Sequence, residues 1–142
     1  MYIFYLEIKN SNIDNAGQWV FSKYKIEKGE FIGEYVGKKY TNTTICNNYT
    51  FETTISNRLY IIDAEPLDKS NLTRYMNCSY SHKSENILVI TCSNEEICKN
   101  TNGDIVDLDG KILFFAKRDI EPGEELLFDY GDKWREKLDI VY

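Results

Sequence analysis

Apolar residues in this chain recur in short blocks separated by clusters of Gly, Asn, Asp and Lys, a spacing that favours strands over helices. Residues 2–8 read as a strand followed by a polar turn over 10–17, and Trp19-Val20-Phe21 begins a second short strand. Glu27-Lys28-Gly29-Glu30 is a turn ahead of the apolar segment 31–37. Alternation over 47–55 and 58–62 predicts a hairpin. Two continuous apolar runs, Ile87-Leu88-Val89-Ile90 within 85–91 and Ile112-Leu113-Phe114-Phe115 within 111–117, predict buried strands. Glu121-Pro122-Gly123-Glu124 has Pro and Gly where a type II turn wants them, and Leu126-Leu127-Phe128 follows as a short strand. Only 132–142 carries a helical pattern, with Trp134 and Leu138 four apart and charges between them. The expectation is a mainly β domain with a minor α component, one core, and no internal repeat or linker.

Length and composition agree with that picture. A chain of 142 residues, 42% hydrophobic, supplies apolar material for one core rather than two. The net charge of −6 argues against non-specific nucleic-acid binding, which needs Lys and Arg to displace counterions from phosphates. An acidic chain with 11 Tyr suits a cationic ligand, because carboxylates and aromatic faces both attract ammonium groups. Biased codon usage would produce the same excess of Tyr and Asn. The four Cys, at 46, 78, 92 and 98, form no C-x-x-C pair, and His82 is the sole His, so no structural zinc site is expected. The first ten residues lack a signal-peptide pattern and no stretch is long enough to cross a bilayer, so the expected compartment is cytosol or nucleus with reduced thiols.

Four segments then stand out, in order. They are Asn15-Ala16-Gly17-Gln18-Trp19-Val20-Phe21; Gly33-Glu34-Tyr35-Val36-Gly37; Asp63-Ala64 through Ser70-Asn71 to Arg74-Tyr75-Met76-Asn77-Cys78-Ser79; and the run from Ala116-Lys117-Arg118-Asp119-Ile120-Glu121-Pro122-Gly123-Glu124-Glu125-Leu126-Leu127 to Phe128-Asp129-Tyr130-Gly131. They resemble the G-x-G-V-F, G-E-Y-x-G, D-A…G-N…R-F-I-N-H-S and A-x-R-D-I-x-x-G-E-E-L-x-x-D-Y-G motifs of SET-domain protein-lysine methyltransferases. The resemblance covers roughly 1–131, with 132–142 as a helical extension of the same domain. It implies small antiparallel sheets with a pseudoknot-like crossing of the Asn77 and Tyr130 segments, a threading no periodicity could reveal. The lack of zinc-binding flanks resembles the compact stand-alone, viral-type members, which would place the protein in a host cell or virion.

The resemblance implies S-adenosylmethionine as cofactor and in-line methyl transfer to a lysine amine. Free lysine, with a pKa of about 10.4, is protonated at neutral pH. A narrow apolar channel would disfavour the ammonium and expose the nucleophile, and alignment would supply much of the rest. Tyr130 matches the catalytic tyrosine. Tyr35 matches a tyrosine that walls the lysine channel, and Tyr49, in Tyr49-Thr50-Phe51, one that approaches cofactor or substrate; ordinary strand packing is the rival for both. Phe128 stands where the family alternates Phe and Tyr; Phe implies di- or trimethylation, and a core Phe without effect on product is its rival. Gly17, Gln18 and Trp19 would present backbone to the cofactor, although Trp19 replaces the usual second Gly, which requires a different loop conformation or an indole wall. Asn77-Cys78 matches the N-H pair with Cys in place of His. Arg74 either contacts the cofactor or braces the crossing segments. Trp134 and Leu138 would cover the cofactor or lysine pocket, form a homodimer contact, or simply dock the terminal helix.

The expected partner is a basic peptide, first among them a core histone tail, with no direct nucleic-acid or membrane contact. A non-histone protein is the second substrate reading. A catalytically silent SET domain that binds peptides is the third, favoured by Trp19 and Cys78 and opposed by Tyr130, Tyr35 and Asn77.

Overall fold

The computed structural model describes residues 5–10, 17–41, 49–78, 85–92, 97–99 and 105–128. The expected helix over 132–142, Asp129, Tyr130, Gly131 and Trp134, together with Cys46 and His82, lie outside the described residues. In chain order the strands are β1 (Leu6–Asn10), β2 (Gln18–Ser22), β3 (Phe31–Glu34), β4 (Lys38–Tyr40), β5 (Thr50–Ile55), β6 (Arg58–Asp63), β7 (Asn77–Cys78), β8 (Ile87–Thr91), β9 (Ile97–Lys99), β10 (Ile105–Asp107), β11 (Ile112–Ala116) and β12 (Leu127–Phe128). Two single turns of 3-10 helix, Leu67–Lys69 and Leu72–Tyr75, follow β6. Among the described residues, no helix is long and apolar enough to cross a membrane.

The chain divides into two compact units, each assembled from separated segments. The first comprises Met1–Gly33, Tyr75–Val89 and Phe114–Tyr142. In it β1 and β2 form an antiparallel pair that sets Trp19 opposite Lys9. Val20, Phe21, Ile26, Ile32, Ile87, Phe114, Ile120 and Leu126 are buried. Each such side chain contributes roughly 1.5–3 kcal/mol on burial. The three-stranded sheet ordered β3–β11–β8 corrects one expectation. The two apolar runs look alike, but only the central strand β11 is buried along most of its length. Edge strand β8 leaves Leu88 46% and Ile90 37% exposed.

Two turns in this unit take the conformation their glycines allow. Gly29 and Gly123 both have φ +88°, and Glu30 and Glu124 donate back to the Glu27 and Glu121 carbonyls at 3.1 Å. Such a positive φ at the third turn residue is what a type II turn requires. The pairing of β12 with β7 is parallel, Leu127 with Asn77 and Phe128 with Cys78, and departs from an all-antiparallel fold. It sets the N-C segment alongside the strand that leads into Asp129-Tyr130.

The second unit comprises Glu34–Arg74 and Ile90–Leu113. Its sheet is ordered β4–β6–β5, with β6 antiparallel to both neighbours, and β9 pairs with β10. The β5–β6 hairpin turns through Ser56 and Asn57 at φ 49° and 65°, the pair of positive angles that matches a two-residue loop to strand twist. Ser56 N–H donates to Asp109 Oδ2 at 2.9 Å, and Thr53 donates its hydroxyl to the Gly110 carbonyl at 2.8 Å. The apolar segment 31–37 is a strand only in its first part, β3 ending at Glu34. A Cβ at Gly37 would strike the Asp63 carbonyl, so this position admits only glycine without displacement.

Candidate functional site

Three of the expected site residues meet in the second unit. Tyr35 emerges just past β3 with its N–H donated to the Ile112 carbonyl at 2.8 Å and its ring tilted against Phe51 at 4.7 Å. It is 5% exposed, and its hydroxyl donates to the Tyr49 carbonyl at 2.6 Å. Burial pushes the phenol well above the ordinary value of 10.0; the Asp63 carboxylate adds to the shift, and the Arg74 guanidinium opposes it. Tyr35 therefore stays neutral at any physiological pH. With its proton committed to a carbonyl, its oxygen meets a further polar group as an acceptor.

Tyr49 sits at the entry to β5, and its carbonyl also receives the Ala64 N–H at 3.0 Å. Arg74, 9% exposed, ends the first segment of the second unit. Its Nε donates to the Ala64 carbonyl at 2.8 Å and its Nη2 to the Glu65 carbonyl at 2.9 Å. The guanidinium carbon stands 4.4 Å from the centre of the Tyr49 ring, within cation–π range. In this unit Arg74 acts as a brace: it holds the segment after β6 and one face of Tyr49 together.

Side chains that the sequence reading did not select complete this cluster. Asn71 donates Nδ2 to the Glu34 carbonyl at 3.0 Å, and Thr73 donates its hydroxyl to the same oxygen at 3.2 Å. Both therefore anchor the backbone immediately before Tyr35. Buried Asp63 accepts the Glu65 N–H on Oδ1 at 2.9 Å and faces Tyr35 electrostatically. Asn71 and Asp63 belonged to a quoted motif, which was the signal available; Thr73 had none.

The remaining described candidates lie in the first unit. Gly17 has φ +80°, and among the described residues nothing lies within 4 Å of where a Cβ would stand. Gln18 is exposed and pairs with Asn10. Trp19 avoids the left-handed region by lying within β2, half-buried, which resolves the steric conflict raised by its bulk. Asn77 and Cys78 form β7, held beside Leu127 and Phe128. Phe128 is 3% exposed, with its ring 5.4 Å from that of Phe114. Tyr130 and Trp134 lie outside the described residues.

A family model described as "SET domain" matches residues 17–131. The histone-lysine N-methyltransferase Set8 of Drosophila melanogaster is 28% identical over 134 residues, covering 86% of this chain but only 17% of the fly protein. Among solved structures, the methyltransferase domain of human PR domain-containing protein 2 is similar with a TM-score of 0.68 and 26% identity, over 90% of this chain and 78% of that one. KRYPTONITE, solved in complex with mCHG DNA and SAH, gives a TM-score of 0.63 and 28% identity over 89% of this chain and 23% of its own.

Proposed function

The chain belongs to the SET-domain family, and we propose that it transfers a methyl group from S-adenosylmethionine to a lysine side chain of a protein, with a histone tail as first substrate and a non-histone protein as the alternative. The observation that carries this reading is the state of Tyr35. A buried phenol that is neutral at physiological pH, its proton engaged by the Tyr49 carbonyl, meets a further donor such as a lysine amine through its oxygen as acceptor. The aromatic surfaces of Tyr35, Phe51 and Tyr49 beside it suit the apolar stem of that lysine. Desolvation by such surfaces lowers the amine pKa, so the neutral nucleophile becomes accessible near neutral pH.

S-adenosylmethionine suits the first unit, where Gly17 is exposed at φ +80° and nothing among the described residues lies within 4 Å of its missing Cβ. When bound, it supplies an electrophilic methyl group. We assign its binding to Gly17, Gln18, Trp19, Asn77 and Cys78, with Trp134 as a cover. Tyr49 contributes through its backbone, and Arg74 by bracing Tyr49 rather than through a direct contact. Tyr130 is assigned the catalytic role of polarising and orienting the amine. Phe128 leaves space for a lysine that already carries a methyl, so the expected products are di- and trimethyl-lysine. Residues 1–131 form the domain and 132–142 its extension.

The test is incubation with labelled S-adenosylmethionine and mixed core histones, together with calorimetric titration of the cofactor. Label on histone lysine with measurable cofactor binding supports the reading. No binding and no transfer would remove it, and binding without transfer to any protein would favour a silent peptide-binding domain, which Trp19 in the position of a glycine makes worth testing.

A further inference from the structure

One buried residue outside the motif set is hydrogen-bonded to the strand that precedes Tyr130 in the chain. Asn86, 1% exposed, makes its hydrogen bonds to backbone from two separated segments. Its own N–H donates to the Leu127 carbonyl at 3.0 Å, and its side-chain Oδ1 accepts the Leu127 N–H at 2.8 Å. Both polar groups of one residue of β12 are thus held by a single partner. Its Nδ2 donates to the Glu125 carbonyl at 2.8 Å, and its carbonyl receives the Lys117 N–H at 2.8 Å. A longer contact from Nδ2 to Glu124 Oε2, at 3.4 Å, joins it to the Arg118–Glu124 ion pair.

We propose that Asn86 is a positioning residue for methyl transfer, a side-chain clamp that fixes β12, and with it Phe128 and the approach to Tyr130. This rests on the methyltransferase reading above. Among the described residues β12 pairs with β7 at Leu127 and Phe128, and Asn86 adds side-chain bonds to that pairing. The clamp needs a donor and an acceptor on one short planar group. Asp lacks the donor and would set an oxygen against the Glu125 carbonyl, whereas Gln is a methylene too long. Displacements of an ångström at reacting groups cost about 100-fold in rate, so loss of the clamp is expected to lower turnover.

The test compares wild type with Asn86→Asp and the milder Asn86→Ser by three measurements: amide hydrogen exchange, kcat against the KM for S-adenosylmethionine, and the mass spectrum of the methylated product. The inference expects exchange at Leu127 and Phe128 to accelerate while Ile112–Ala116 in β11 is unchanged. It also expects kcat to fall about 10- to 100-fold, by more than KM for the cofactor rises, and the Ser variant to lie between. Acceleration spread equally over β11, unchanged kcat despite local acceleration, or failure of both variants to fold would overturn it, since Asn86 would then be an ordinary core residue. If wild type proves inactive yet exchange changes only at Leu127 and Phe128, the methyltransferase reading falls while the clamp stands.

Discussion

The segment from Ala116 to Phe128 and the cluster around Tyr35 both answer to motifs, but they use their residues in opposite ways. In the first, Lys117, Arg118, Asp119, Glu121, Pro122 and Gly123 are exposed. Their recognisable order reflects what the backbone must do: Ile120 bridges Ile26, a type II turn forms at Gly123, Glu125 bridges Phe21, and Leu126 donates to Val20. In the second, Tyr35, Asp63, Thr73 and Arg74 are buried, and their polar side-chain atoms bond the backbone of Tyr49, Glu65, Glu34 and Ala64. The longer motif identifies the fold because turns and bridges leave little sequence freedom.

If that contrast is right, substitutions around Tyr35 cost more than substitutions in the exposed turn. Gly37→Ala should have the largest effect, destabilising by at least about 2 kcal/mol in a denaturant titration, because its Cβ meets backbone that cannot rotate away. Arg74→Lys keeps the charge but loses the planar fork that reaches two carbonyls and stacks on Tyr49; a loss of about 2 kcal/mol is expected. A normal melting curve with weakened cofactor binding would instead make Arg74 a cofactor contact.

Tyr35→Phe removes one donor from a carbonyl that still receives the Ala64 N–H, so about 1 kcal/mol is expected. Its sharper signature is pH dependence. The folded phenol ionises above 10.0 and the unfolded one at about that value, so the unfolded chain loses its proton first. Wild-type stability therefore holds below pH 10.0 and falls as pH rises beyond it, and the Phe variant should lack that part of the fall. At the small end, Arg118→Ala breaks a half-exposed pair with Glu124 and should change stability by less than about 1 kcal/mol. A loss there as large as at Arg74 would dissolve the contrast.

Local features were the ones readable from sequence. Pro122-Gly123, Gly29 and the hairpin around Ser56-Asn57 announce turns because backbone angles constrain residue type directly. Non-local features were not. Ile87-Leu88-Val89-Ile90 and Ile112-Leu113-Phe114-Phe115 differ in burial only because one strand is an edge and the other central, which strand order decides. The parallel pairing of β7 with β12 likewise depends on threading. At the candidate site, Tyr35, Tyr49 and Arg74 were singled out by motif, but their mutual bonds were not readable, and Asn86, inside the strand expected over 85–91, carried no signal because its partners are distant in sequence.

The central claim is that this domain moves a methyl group to lysine with Tyr130 as the catalytic residue. Its most direct test is turnover and cofactor affinity for wild type and Tyr130→Phe side by side. The account expects kcat to fall about 100-fold or more while the Kd for S-adenosylmethionine stays within about twofold, as a hydroxyl acting on the amine rather than on the cofactor requires. Equal turnover in the two proteins would contradict it.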